Sequence, residues 1–122
     1  MALMLPASHI SKTAGLQFSN VLSLLIKIRF NAPDDTTAVM GHTRLTTQGN
    51  QKFNQNNHPF PGHADKDFAF AHNGVLYNDQ DLRKAKNLPE THIETDSYVA
   101  VQLIEQQGRL DFENLKNMAE TV

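Results

Sequence analysis

The sequence predicts an α+β domain, and three observations carry that prediction. Two strand-like segments, 36–45 and 68–71, stand ahead of three well-signalled helical ones. Segments with cap residues and helical spacing follow over 78–86, 95–108 and 111–122. The chain has 122 residues, 39% of them hydrophobic, which suffices for one domain with one modest core.

Residues 1–18 show no steady period and mix Pro6 and Gly15 with several Ser and Thr, so they read as a frayed lead-in. The run 19–30 is ambiguous. Ile26, Ile28 and Phe30 alternate with Lys27 and Arg29 like a strand, whereas Val21, Leu22 and Leu25 suit a helix. A short helix is the favoured reading, running into a turn at 31–35 where Pro33 and its Asx neighbours break regular structure. Thr36 to Leu45 is rich in β-branched and apolar residues and reads as a strand. Thr46 to Asp67, with Gly49, Pro59, Pro61, Gly62 and repeated Asn, is a long aperiodic stretch, which predicts disorder or a functional loop. Phe68 to Ala71 alternates as a second strand and stops at the Asn73-Gly74 turn signal. Asn78 or Asp79 then caps a helix through Lys86. The next helix is capped by Thr95 or Asp96, carries Val99, Leu103 and Gln106 on one face, and stops at Gly108. Asp111 caps a last helix, in which Phe112, Leu115, Met118, Ala119 and Val122 recur at helical spacing.

Eleven basic and 13 acidic residues are scattered to a net charge of −2. Without a basic stripe the chain has no footprint for a phosphate backbone, which argues against nucleic acid as a partner. There is no cysteine, so disulfides, thiolate metal ligands and a cysteine nucleophile are excluded within these residues. The N-terminus lacks the charged and apolar regions of a secretion signal. The best apolar run, Val21 to Phe30, is broken by Lys27 and Arg29 and falls short of the roughly 20 residues of a membrane span. A cytoplasmic protein is expected, with no membrane partner.

Three short motifs share one chemistry: Gly41-His-Thr-Arg44, His72-Asn-Gly74 and Glu94-Thr-Asp96. Each alone has a bland reading. Asn-Gly after a strand is usually a turn, a strand-end Arg a surface ion pair, and Thr-Asp before a helix a cap. Together they fit an amino-acid ligand. Arg44 suits bidentate capture of a carboxylate, and Asp96 supplies the opposite charge for an ammonium. The Asn73 side-chain amide and the Gly74 backbone N–H are adjacent donors that can converge on an oxyanion, and glycine lets the backbone approach a ligand closely. A metal site built on His58, His63 and His72 is disfavoured, because spacings of five and nine residues match no compact zinc pattern.

In the order GHTR, TTQG, NNHPF, HNGVLYNDQDLR and ETDSYVAVQLIEQQG, residues 36–122 resemble class II glutamine amidotransferases, a family that hydrolyses glutamine to glutamate and ammonia. The resemblance implies part of an αββα four-layer sandwich of the N-terminal-nucleophile hydrolase type, forming a single partial domain, with 1–35 as a weakly matched lead-in. Glutamine is the implied ligand, and no cofactor or metal is implied. By the same resemblance Arg44 binds the α-carboxylate, Thr47 lines that pocket, Asp96 holds the α-amino group, and Asn73 with Gly74 forms the oxyanion hole. His42 reads as a structural histidine bonded to backbone, and Asn56 to Pro59 as a wall of the pocket. Leu45 and Gln48 depart from the aromatic residue and histidine that many members carry at those places.

The family's nucleophile is an N-terminal cysteine whose own α-amine acts as base. This sequence begins Met1-Ala2-Leu3, and Ser8, Ser11 and Thr13 are internal hydroxyls without an α-amine of their own. The expectation is therefore a domain incomplete at both ends, lacking the family's opening strand, and inactive by itself. It derives either from an active amidotransferase or from a non-catalytic glutamine- or glutamate-binding remnant. Strands missing from the sheets expose edges, which predicts association with a second copy or a completing segment. A sharp, concentration-independent monomeric unfolding transition would refute this expectation.

Overall fold

The computed structural model describes residues 2–6, 34, 40–42, 48–50 and 52–122, with 2–6 described as backbone. Among these residues a three-stranded antiparallel sheet is formed by β1 (Ala2–Pro6), β2 (Phe60–His63) and β3 (Asp67–His72), in the order β1-β3-β2. Three helices follow: α1 (Asp79–Ala85), α2 (Tyr98–Gln107) and α3 (Phe112–Thr121). Mixed helices and strands agree with the predicted α+β class.

Side chains on successive strand residues point to opposite faces, which sets the core. Phe68 and Phe70 of β3 share one face with Phe60, which pairs with Phe70 across the β2–β3 ladder. That face packs on α2 and α3, where Ala100, Val101, Leu103, Ile104 and Met118 complete the buried cluster. The Phe68 ring covers Gly62, its partner in the register, so a side chain at Gly62 would collide with it. Ala69 and Ala71 face the other way and are also buried.

Two strands differ from the sequence reading. Ala2–Pro6, expected as a frayed lead-in, pairs along β3 from Ala2 opposite His72 to Pro6 opposite Phe68. Ladder partners far away in sequence leave no local signal. β2 lies within the stretch expected to be an aperiodic loop, and Pro61 and Gly62 hid it. Its place beyond β3, with no further described strand outside it, accommodates a residue that has no N–H to give to a ladder. The same stretch holds a short 3-10 turn at Asn54–Asn56.

The helices follow the sequence more closely. α1 begins after Asn78 and ends before Lys86, although Asn78 makes no side-chain cap bond. α2 ends at Gly108, whose φ of 74° is the left-handed conformation expected there. Val99 through Ile104 are all buried, so α2 is enclosed on more than the single face read from Val99, Leu103 and Gln106. The Asp111 side chain accepts the Asn114 N–H at 3.0 Å and caps α3 as predicted. In α3 Met118 is buried and Leu115 and Val122 are partly buried, but Phe112 is 80% exposed. The favoured helix within 19–30 lies outside the described residues, and of the turn at 31–35 only Asp34 is described. Of the strand predicted at 36–45 only Met40, Gly41 and His42 are described, and none of them is in a strand. No helix among the described residues is long and apolar enough to cross a membrane.

Polar ties hold α1 on α2. The buried Gln102 accepts from Arg83 Nη1 at 2.6 Å and donates to the Pro89 carbonyl at 2.7 Å. Chemical denaturation should separate core from cap: Ile104→Ala costs about 3 kcal/mol through its cavity, whereas Asp111→Ala costs about 1 kcal/mol. Equal losses for the two would contradict this placement of the core.

Candidate functional site

β3 ends at His72, so Asn73 and Gly74 begin the segment that leaves the sheet edge. Asp96 stands two residues ahead of α2. Two contacts join these segments. The Leu76 N–H donates to Asp96 Oδ2 at 2.6 Å, and His72 Nδ1 lies 3.0 Å from Ser97 Oγ. The structure thus brings together the second and third motifs, with Asn73 and Gly74 exposed and Asp96 buried. Arg44 and Thr47, together with Leu45, lie outside the described residues.

The structure corrects the expectation that Thr95 or Asp96 caps α2. Neither makes a side-chain cap bond, and the residue before the helix is Ser97. Asp96 turns instead to Leu76, and the Thr95 hydroxyl donates to the Asn56 carbonyl at 2.8 Å. The Thr95 hydroxyl and Asp96 Oδ2 are engaged in tertiary contacts.

Gly74 is constrained from below. A Cβ there would stand 2.6 Å from His72 Nε2 and 2.7 Å from His72 Cε1, so the imidazole occupies the space of a side chain. The sequence suggested that glycine serves close approach of a ligand; the His72 ring supplies an internal reason. Burial pushes the His72 imidazole below its ordinary value. The amino-terminal charge and His42 push the same way, and Asp96 opposes them. Ser97 is itself buried, so its hydroxyl orients the His72 ring and is not presented to a ligand.

Behind these residues lies a polar clamp that the sequence reading did not find. Asn56 is fully buried. Its Nδ2 donates to the Asn50 carbonyl at 3.0 Å and to Glu94 Oε2 at 2.8 Å, and its Oδ1 accepts the Glu94 N–H at 2.9 Å. Glu94 Oε2 also accepts the Asn50 N–H at 2.9 Å. Gly49, with φ of 77°, passes so close that a Cβ there would lie 3.1 Å from Glu94 Cβ. The motifs NNHPF and ETD contained these residues. Their partnership spans 38 residues and leaves no mark in local pattern.

His58 of the same loop sits in an aromatic row, 4.4 Å from His42 on one side and 4.4 Å from Phe60 on the other, with Tyr98 5.4 Å beyond Phe60. His63 instead pairs with Asp67 at 2.6 Å on the exposed β2–β3 hairpin. Among the described residues no three His, Cys, Asp or Glu side chains are gathered as a metal-binding group.

Over 87 residues the chain is 37% identical to glutamine–fructose-6-phosphate aminotransferase (isomerizing) from two strains of Staphylococcus epidermidis, a match covering 70% of this chain. The chain is related to these aminotransferases. The corresponding enzyme of Bradyrhizobium diazoefficiens is 38% identical over 71 residues, 57% of this chain. The matched segment spans only 14% of the staphylococcal proteins and 11% of the Bradyrhizobium protein. No family model and no solved structure matches the chain.

The lowered His72 value fixes a direction for stability against pH. With the folded value below the ordinary 6.5, the unfolded chain binds more protons as the pH falls through that region. Stability from the neutral ring is therefore present above it and is lost on acidification. Denaturant unfolding at about pH 7.5 and about pH 5 should show a larger loss for the unaltered chain than for His72→Gln. Equal losses would remove His72 as the source.

Proposed function

We propose that residues 36–122 are a portion of one class II glutamine amidotransferase domain, of the αββα N-terminal-nucleophile hydrolase type, and that its pocket binds glutamine. The observation that carries this reading is the Leu76–Asp96 hydrogen bond, in a chain related to glutamine–fructose-6-phosphate aminotransferase. That bond sets a buried carboxylate beside the segment bearing Asn73 and Gly74. In the proposed complex Asp96 takes the α-ammonium of glutamine, and Arg44 takes the α-carboxylate through its paired N–H groups. Thr47 lines the same pocket. The Asn73 Nδ2 and the Gly74 N–H hold the side-chain carbonyl, and they stabilise the oxyanion formed when a nucleophile attacks it.

For the intact protein we propose hydrolysis of the glutamine amide to glutamate, with the released ammonia passing to an acceptor. The thiol for that attack is not among these residues, since the sequence contains no cysteine. This observation favours a second reading for the 122 residues alone, in which glutamine or glutamate is held without turnover. Association with a second copy or a completing segment belongs to the same proposal.

Titration calorimetry of the full chain with glutamine tests the assignments. Asp96→Asn should weaken binding about 30-fold, the equivalent of about 2 kcal/mol for a hydrogen bond to a charged group. Arg44→Lys should weaken it about tenfold by replacing a planar fork with a point charge. Unchanged affinity in Asp96→Asn would sink the ammonium assignment. Ammonia release by this chain, abolished in Asn73→Ala, would show that these residues supply a nucleophile after all.

A further inference from the structure

We infer that Asn56 and Glu94 are positioning residues for Asp96, acting through a clamp that fixes the backbone on which the Asp96 carboxylate is carried. The inference rests on the glutamine-binding reading above and deepens it by naming what holds its anionic subsite. Asn56 grips Glu94 twice, through Oδ1 to the Glu94 N–H and through Nδ2 to the Glu94 carboxylate. Its backbone carbonyl takes the Thr95 hydroxyl. The two residues immediately before Asp96 are thereby fixed to the fully buried Asn56, Glu94 by the side-chain amide and Thr95 by the backbone carbonyl of that residue.

On the other side of the clamp, Asn50 gives its N–H to Glu94 and its carbonyl to Asn56. Gly49 closes on Glu94 without room for a side chain to lie between them. Beyond Asp96 the chain enters α2, whose first turns are enclosed by the core. Asp96 is therefore held from both directions, by the clamp before it and by the packed helix after it. Its carboxylate, bonded to the Leu76 N–H, transmits that placement to the segment following Asn73 and Gly74. Displacing a binding group by even a fraction of the distance to its ligand weakens the contact steeply, which is why residues behind a site can set its affinity.

The test uses the full chain with two readouts. Glu94 is exposed and its truncation leaves no cavity in the core, so Glu94→Ala is the primary variant. Its carboxylate bonds to Asn50 and Asn56 are lost, while Glu94→Gln retains a side-chain oxygen to accept them. The first readout is the amide proton resonance of Leu76, which reports the Asp96 hydrogen bond without any ligand. It should move upfield in Glu94→Ala and stay near its original position in Glu94→Gln. The second is glutamine affinity, which should fall roughly tenfold in Glu94→Ala and recover in Glu94→Gln. In an Asp96→Asn background, Glu94→Ala should cost no further affinity, because its effect passes through Asp96. An unmoved Leu76 resonance in Glu94→Ala, or additive losses in the double variant, overturns the inference. If the unaltered chain binds no glutamine, the ligand assignment fails, and the Leu76 resonance alone decides whether the clamp positions Asp96.

Discussion

A primary amide removed from water must find partners for two donors and an acceptor, and the cost of leaving them unmade is larger than the gain from making them. Asn56 is such an amide, fully buried, and the chain around it is arranged to meet its demands. Asn50 and Glu94 come to it from opposite sides, one from the loop ahead of β2 and one from the segment ahead of α2. Among the described residues of 48–59 the regular structure is the short 3-10 turn at Asn54–Asn56, and this amide ties that turn to Asn50 and Glu94. A displaced Asn56 would release Glu94, then Thr95, and with them the backbone that carries Asp96.

The start of α2 shows how such tertiary demands override local chemistry. Thr95 and Asp96 are residues that favour helix caps, and in an isolated peptide they would serve as such. Here the Thr95 hydroxyl and Asp96 Oδ2 bond to partners far away in sequence, and α2 begins without a side-chain cap. The helix tolerates this because Val99 through Ile104 are buried, and packing of a helix contributes more than its terminus does. The more exposed α3 keeps its cap at Asp111. Between these two helices the cap forms at the more exposed terminus, although the exposed Asn78 ahead of α1 makes no side-chain cap bond.

The same division explains what could be read from the residues in advance. β3 announced itself by alternation, and α1, α2 and α3 by cap residues and spacing, because those signals are local. Of the candidate site, an aspartate and an Asn-Gly pair were singled out as residue types, and the structure brings their segments together through Leu76, while Arg44 and Thr47 lie outside the described residues. What escaped was nonlocal. β1 and β2 depend on ladder partners in β3, and Pro61 with Gly62 argued against a strand that has no further described strand outside it. Asn56 and Glu94 lay in motifs already noted, yet nothing in either motif says that one binds the other.

His72 connects this frame to the charge of the site. A histidine beside a buried carboxylate would ordinarily gain a proton and pair with it. At His72 burial outweighs the pull of Asp96, and the ring is held toward its neutral form. A charged imidazole would satisfy Asp96 from within the protein and leave little attraction for a cationic ligand group. A neutral one lets the ring pack beneath Gly74 and sit against Ser97 without pairing with Asp96. Asp96 can then accept the Leu76 N–H and still offer negative charge to an ammonium, as the proposed role requires. Burial of His72 thus works in the same direction as the role proposed for Asp96.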